Sequence, residues 1–197
     1  MTDLPVAKPP VTRKLDLGCG QNCREGFEGC DVAPGPGVVH VMNLLRYPWP
    51  FEDSSIAELH CSHFIEHIPM IEVDDQGNQV PFGEGQDALL RFFDECYRVL
   101  APDAWMQCIW PSLRSNRAFQ DPTHRRFIPE QTMGYLWKDW RVANKLDHYK
   151  VKCNFISDTG WTLDASLNAR HDEVRSRYIH NYWNGTVDFV SKLKAIK

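Results

Sequence analysis

Hydrophobic positions in the first hundred residues fall into short runs punctuated by glycine and proline. Residues 14–18 read as a short apolar strand ending in glycine, and 29–33 as a second, closed by the turn Pro34-Gly35-Pro36-Gly37. Residues 38–42 predict a third strand and 56–62 a fourth, followed by a helical stretch over 63–68. The polar, turn-rich segment 69–85 reads as a loop or flap. Over 86–100, Leu89, Phe93, Cys96, Tyr97 and Leu100 recur at spacings of three and four, the pattern of an amphipathic helix that Ala101-Pro102 stops. A fifth strand is predicted at 105–110. This strand–crossover–strand rhythm implies an α/β fold, a parallel sheet with helices on both faces.

The rhythm breaks over 111–150. Beyond it, 150–156 and 161–169 read as strands and 172–183 as a helix. From 186 to 196, Val187, Phe189, Ser191, Leu193 and Ala195 alternate with Asp188, Lys192 and Lys194, which predicts a last, half-exposed strand. Residues 1–12 carry three prolines and little periodicity and read as a flexible arm, leaving 13–197 as one domain.

Composition supports a folded domain: 197 residues, 43% hydrophobic and 24% charged. No apolar run approaches the roughly 18 residues of a membrane span, and no secretory signal is visible. A net charge of -4 argues against a protein that coats nucleic acid with its whole surface. Seven cysteines, an odd number, suggest free thiols in a reducing, cytoplasmic setting. Cys19, Cys23 and Cys30 form no CxxC pair, so no structural metal is expected from them.

The strongest signal is Leu15-Asp16-Leu17-Gly18-Cys19-Gly20. A buried strand ending in Gly-x-Gly lets the backbone turn sharply and approach a ligand closely. A nicotinamide cofactor would want a third glycine at position 23, where Cys23 stands. Asp16 before the turn would repel a pyrophosphate and suits a positively charged ligand. Asp31, at the end of the second strand, can accept both hydroxyls of a ribose, or else simply caps a turn.

LDLGCG, GCDVAPGPGV, NLLRYPWPFEDSSIAELHCSHFIEHI and FFDECYRVLAP, in that order, resemble class I S-adenosylmethionine-dependent methyltransferases, and more narrowly the short bacterial and phage members of that group. The resemblance runs from about residue 13 to 150. It implies a Rossmann-like sheet with a lid inserted after strand five, at 111–150, and S-adenosylmethionine as cofactor. It implies that Asp16, Gly18, Cys19 and Gly20 cradle the methionine half of the cofactor and that Asp31, with Val32 beside it, holds the ribose. Asn43 and Leu44 would frame the adenine, while Ser62 and His63 face the reacting methyl. Three departures stand out. Only ten residues separate Gly20 from Asp31, so the first crossover is shortened. Asn43 replaces a common aspartate, and Asp103-Ala104 replaces a glycine pair before strand five.

On the acceptor side, His63, Glu66 and His67 stand at i, i+3 and i+4. That spacing can bind a metal, but the resembled group carries a Glu-His pair here as a structural feature, and no metal is expected. His63 is a candidate base. The stretch 111–152 has a charge balance of +5 against -9 for the rest of the chain. Within it, His124 is a second candidate base, and Arg117, Arg125 and Arg126 are candidate clamps for phosphate or carboxylate. A solvated basic loop is the plainer alternative. Trp137, Trp140, Tyr135 and Tyr149 flank the charges and either stack on a ring or form the core of the lid. The expectation is a methyltransferase acting on an anionic or sugar-like small molecule. A nucleic-acid methyltransferase of phage type and a non-catalytic, cofactor-binding subunit are the alternatives.

Overall fold

Alternation along the strands decides which face of the sheet is buried. In the computed structural model, which describes residues 11–167 and 169–197, ten strands form two sheets. The expected arm lies, apart from its last two residues, outside the described residues. Strands β1 (Lys14–Leu17), β2 (Glu28–Asp31), β3 (Val38–Val41), β4 (Ile56–Ser62), β8 (Leu100–Pro111), β9 (Phe155–Leu163) and β10 (Thr186–Ala195) make the large sheet, in the order β3-β2-β1-β4-β8-β10-β9. The first five run parallel, and β10 is antiparallel to both its neighbours. This is the Rossmann-like methyltransferase sheet expected from the sequence. The chain builds outward from β1 to β3, then returns to β4 on the other side of β1, so the strand order reverses between β1 and β4. Ligands of open α/β sheets bind beyond the carboxyl ends of the strands at such a point.

Leu15, Leu17, Leu59, Cys61, Met106 and Cys108 are completely buried on one face. Helix α1 (Ala88–Val99) covers that face with Leu89, Phe92, Phe93, Cys96 and Val99. Each buried phenylalanine contributes about 1.5–3 kcal/mol. The helix starts at Asp87, whose carboxylate accepts from the Leu89 and Leu90 amides, two donors that would otherwise lack partners. Tyr47, Trp49 and Phe51, from the loop between β3 and β4, complete this layer, with Trp49 edge-on to Phe92.

The other face differs from expectation. Asp16, His60, Gln107, Lys192 and Asp158 pair in one row across five strands. Their polarity makes helical cover unnecessary there, and among the described residues no helix lies in the connections 18–27, 32–37 or 42–55. The shortened first crossover is thus part of a wider reduction.

Other elements shift in detail. The expected flap at 69–85 contributes to a small antiparallel sheet, β5 (Glu72–Val73), β6 (Gln79–Val80) and β7 (Gln86–Asp87), so the helix begins two residues later than predicted. The stretch 63–68 contains a 3-10 turn, Ile65–His67. The two strands expected at 150–156 and 161–169 are a single strand, β9. It ends where Asp164 accepts from the Ser166 amide and opens a 3-10 turn. Asp103 adopts φ 60°, the left-handed turn for which a glycine is the usual residue. Helices α2 (Arg117–Gln120), α3 (Lys138–Ala143) and α4 (Asp172–Asn181) follow β8 and β9.

Candidate functional site

Strand β1 runs out at Gly18, whose amide donates to the Cys30 carbonyl at 2.8 Å. Two residues on, Gly20 turns with φ 54° and faces open space: a Cβ there would meet nothing within 4 Å. The Gly20 amide donates to Asp31 Oδ2 at 2.9 Å, and the Ala33 amide donates to Asp31 Oδ1 at 3.1 Å. The Asp31 carboxylate is therefore held at the end of β2 by two backbone amides, with further acceptor capacity on both oxygens. Val32 beside it is 71% exposed, an apolar side chain presented to solvent at the sheet's carboxyl edge.

Other residues of the turn are engaged within the fold. Asp16 is buried; its Oδ2 accepts from the Arg24 amide at 2.7 Å, and its Oδ1 lies 2.8 Å from His60 Nδ1. It ties β1 to the following loop and to β4. Burial, helped by Cys23, Asp16 and Asp31, pushes the Cys19 thiol up to about 12, so it stays protonated and packs over Gly29. Asn43 is exposed, with Oδ1 accepting from the Leu45 amide at 2.9 Å. Leu44 is turned into the core and is only 3% exposed, so its side chain is not presented to an adenine as expected.

The second half of the site lies at the ends of β4 and β8. His63 follows Ser62 directly and holds φ 54°, a strained conformation for a residue with a side chain; its amide donates to the Ile109 carbonyl at 2.9 Å. Its Nδ1 lies 3.2 Å from Glu66 Oε1, and its Nε2 lies 3.5 Å from an Arg117 nitrogen and 3.8 Å from Asp188 Oδ1. Arg117 and Asp188 pair at 3.0 Å. Burial pushes the Asp188 carboxyl up, against the pull of His63 and Arg117. The amides of Arg125 and Arg126 both donate to the Glu66 carbonyl, which staples the lid segment to the 3-10 turn after β4.

His63 and Arg117, two of the candidate residues, are thus brought side by side. His124 lies beneath them. Its side chain is 7% exposed, and its Nδ1 donates to the Ala118 carbonyl at 2.9 Å, so it does not line an open acceptor pocket. Arg126 is also placed differently: its guanidinium donates to the carbonyls of Ile68 and Pro69 and to Asp87, a tie within the fold. Arg125 is exposed. Much of the basic stretch is similarly engaged. Arg114 binds the carbonyls of Ile179 and His180, and buried Arg141 binds those of Tyr135, Val151 and Cys153. Tyr135 packs on Trp140 and Tyr149.

Glu66 was visible in the sequence through its spacing from His63, but sequence reasoning missed two features. Asp188 falls on the polar side of an alternating strand and carried no separate signal. The other is an exposed aromatic stack: Phe119 lies on Phe127 (4.8 Å between centroids, 21° between planes) and on Trp183 (5.9 Å, 29°). All three are more than half exposed, and Phe119 shares α2 with Arg117. Nothing in the sequence links positions so far apart.

No family model and no curated protein matches this sequence. Solved structures do. A SAM-dependent methyltransferase from Archaeoglobus fulgidus superposes with a TM-score of 0.57 at 18% identity, over 93% of this chain and 86% of that one. An S-adenosylmethionine-dependent methyltransferase from Mesorhizobium loti gives 0.50 at 14% identity, over 94% and 93%. The likeness is one of fold: the chain is built on the sheet that these methyltransferases use. Among the described residues, no helix is long and apolar enough to cross a membrane.

Proposed function

We propose that this chain is a methyltransferase that binds S-adenosylmethionine at the carboxyl ends of β1 and β2 and methylates a small anionic or sugar-like acceptor. The observation that carries this reading is the grouping of the open Gly20 turn, the anchored Asp31 carboxylate and the exposed Val32 at the topological switch point. Asp31 accepts from the two ribose hydroxyls, Val32 covers one face of the adenine, and the missing side chain at Gly20 leaves room for the amino-acid tail. When bound, the cofactor supplies an electrophilic methyl group on a positively charged sulfur.

The chain's own task is then alignment and proton removal. His63 stands at the end of β4 and takes the proton of the acceptor. Arg117, fixed by Asp188, and the free guanidinium of Arg125 orient an anionic group, while the stack of Phe119, Phe127 and Trp183 offers a flat apolar face to a ring. The segment 111–150 serves as the acceptor lid. Arg114, Arg126 and Arg141 are engaged with internal partners and are less available to a phosphate backbone, which favours a small acceptor over nucleic acid.

Calorimetry with S-adenosylmethionine, S-adenosylhomocysteine and NAD tests the first half. Binding of the first two without the third is expected; binding of NAD alone would overturn the reading. A screen of metabolite pools with methyl-labelled cofactor tests the second half. Label entering small molecules is expected, whereas label entering only DNA or RNA would overturn the choice of acceptor.

A further inference from the structure

One ring nitrogen of His67, one of His124 and a carboxylate oxygen of Glu66 lie within 4.8 Å of one another. His124 donates through Nδ1 to the Ala118 carbonyl, so Nε2 is the nitrogen available to a ligand. Nε2 faces Glu66 Oε1 at 3.9 Å and Asp121 Oδ2 at 3.9 Å. Two carboxylate oxygens converging on one ring nitrogen are a donor set that a shared cation would satisfy. Among the described residues, no lysine or arginine nitrogen lies within 4.0 Å of either carboxylate to supply one.

His67 is prepared in the same way. Thr123 Oγ1 donates to Asp121 at 2.7 Å, so at 3.1 Å from His67 Nδ1 it acts as the acceptor, and His67 Nε2 is left free. Glu66 is 2% exposed; its Oε1 has His63 Nδ1 at 3.2 Å, but its Oε2 has no partner. Histidines that ligate metals usually donate their other N–H to a carbonyl or an oxygen acceptor, and ligating carboxylates are themselves hydrogen-bonded. Both conditions are met before any ion enters.

We propose that Glu66, His67 and His124 bind a divalent first-row transition-metal ion, with Asp121 as a neighbouring fourth oxygen. Two imidazoles and one carboxylate form a ligand set that such ions favour and that leaves coordination positions open. Bonds of about 2.0–2.1 Å put the ligand atoms of a tetrahedral site roughly 3.3 Å apart, so side-chain movements of about an ångström close the site. The sequence spacing singled out His63 with Glu66 and His67; the fold replaces His63 by His124, and His63 becomes the donor that orients Glu66. The half-buried His67 leaves the ion accessible, so that it would hold an oxygen of the acceptor. That use rests on the methyltransferase reading above, whereas metal binding does not.

The test uses the full chain without a polyhistidine tag, stripped with a chelator and titrated with Co²⁺ and Zn²⁺. One equivalent per chain is expected, with visible Co²⁺ absorption bands and a dissociation constant that weakens at least tenfold in His67→Ala and in His124→Ala. Circular dichroism of each variant distinguishes lost binding from lost fold, and half-buried His67 is the safer position. Thr123→Val, which removes the acceptor that orients His67, is expected to weaken binding without unfolding. Absence of stoichiometric binding would overturn the proposal and leave Glu66 and His124 as an ion pair. So would binding that persists in folded His67→Ala. Failure to bind S-adenosylmethionine would overturn the functional reading and leave this result untouched.

Discussion

Phe64 lies directly over Gly18: a Cβ at residue 18 would sit 2.6 Å from Phe64 Cδ2 and 2.9 Å from its Cβ. The first residue beyond His63 therefore packs on the turn that ends β1, and the two halves of the site lock to each other through one ring. Gly18 also holds φ 67°. Gly18→Ala should be destabilising on both counts, by about 1–2 kcal/mol for the left-handed backbone and by about 1–3 kcal/mol for overpacking. Urea unfolding of Gly18→Ala, Phe64→Ala and the double variant checks this. Alanine at 64 removes the Cγ and Cδ2 atoms and keeps Cβ, so it should recover part of the packing loss and none of the backbone loss; strict additivity of the two losses would mean that the contact carries no energy.

Arg125 and Arg126 are neighbours with opposite fates. Arg126 joins the Ile68 and Pro69 carbonyls to Asp87 with little exposure of its own side chain, while Arg125 is exposed. Arg126→Ala should lower stability by about 1–3 kcal/mol, the range for a hydrogen-bonded charged group. Arg125→Ala should stay within about 0.5 kcal/mol of the parent. Thermal unfolding of the pair decides. Equal losses would show that the adjacent backbone bonds to Glu66, not the guanidinium, hold the segment.

The parallel half of the sheet was legible where a strand ends at a local signal: Gly18 after β1, Asp31 at the end of β2 and Pro111 at the end of β8. The same locality explains what was not legible. Helical cover on both faces follows from the βαβ rhythm as a general rule, but here Asp16, His60, Gln107 and Lys192 make one face polar, and that row appears only when strands far apart in sequence are set side by side. The Gly20–Asp31 relationship spans eleven residues and could be anticipated. His124 and Arg126 could not be placed, because their partners, Ala118, Glu66, Ile68 and Asp87, are defined by how the lid folds back on the turn after β4. A basic stretch in the sequence says nothing of which carbonyls its arginines will meet.

Asp94 links α1 to the segment before β9: its Oδ1 accepts from the amides of Lys152 and Cys153 at 2.9 and 2.7 Å, and its Oδ2 accepts from Gln86 Nε2 at 2.8 Å. Burial raises its carboxyl above 3.8, against the pull of those donors. The folded chain thus holds this proton more tightly than the unfolded chain. The resulting contribution to stability is fully present below about pH 3.8 and is lost as pH rises through the raised value. Asp94→Asn keeps an acceptor and does not titrate. The stability of the parent relative to this variant should therefore fall as pH rises from the acid range toward neutrality, measured by urea unfolding at each pH. A difference independent of pH would mean that the buried carboxyl is not raised. Asp94→Ala should cost about 1–3 kcal/mol for each amide left without an acceptor.

His63 combines an unusual backbone with a central position, so its replacement has to separate the two. Asparagine tolerates the left-handed conformation and removes the imidazole. On the proposed function, His63→Asn should lower turnover by about 10²–10⁴ and leave S-adenosylmethionine affinity nearly unchanged, since the proton is taken on the acceptor side. His63→Ala should lose similar activity and also stability, because alanine is strained at φ 54°. Kinetics and cofactor calorimetry on both variants check this. Activity retained in His63→Asn would remove the base assignment.

Asp31 offers the most direct test of the cofactor half. Its oxygens already accept from the Gly20 and Ala33 amides, and their remaining lone pairs are the ones that a ribose would meet. Hydrogen bonds to a charged acceptor contribute about 1.5–3 kcal/mol each. Loss of two such bonds outweighs any adjustment of the turn, so Asp31→Ala should weaken S-adenosylmethionine binding roughly tenfold or more while the chain remains folded. Asp31→Asn keeps one oxygen and introduces an amide donor, and it should fall between the parent and the alanine variant. Calorimetry on the three proteins, with circular dichroism as a check on folding, gives the order. An unchanged dissociation constant in Asp31→Ala would place the ribose elsewhere and leave Asp31 as the residue that shapes the turn between β1 and β2.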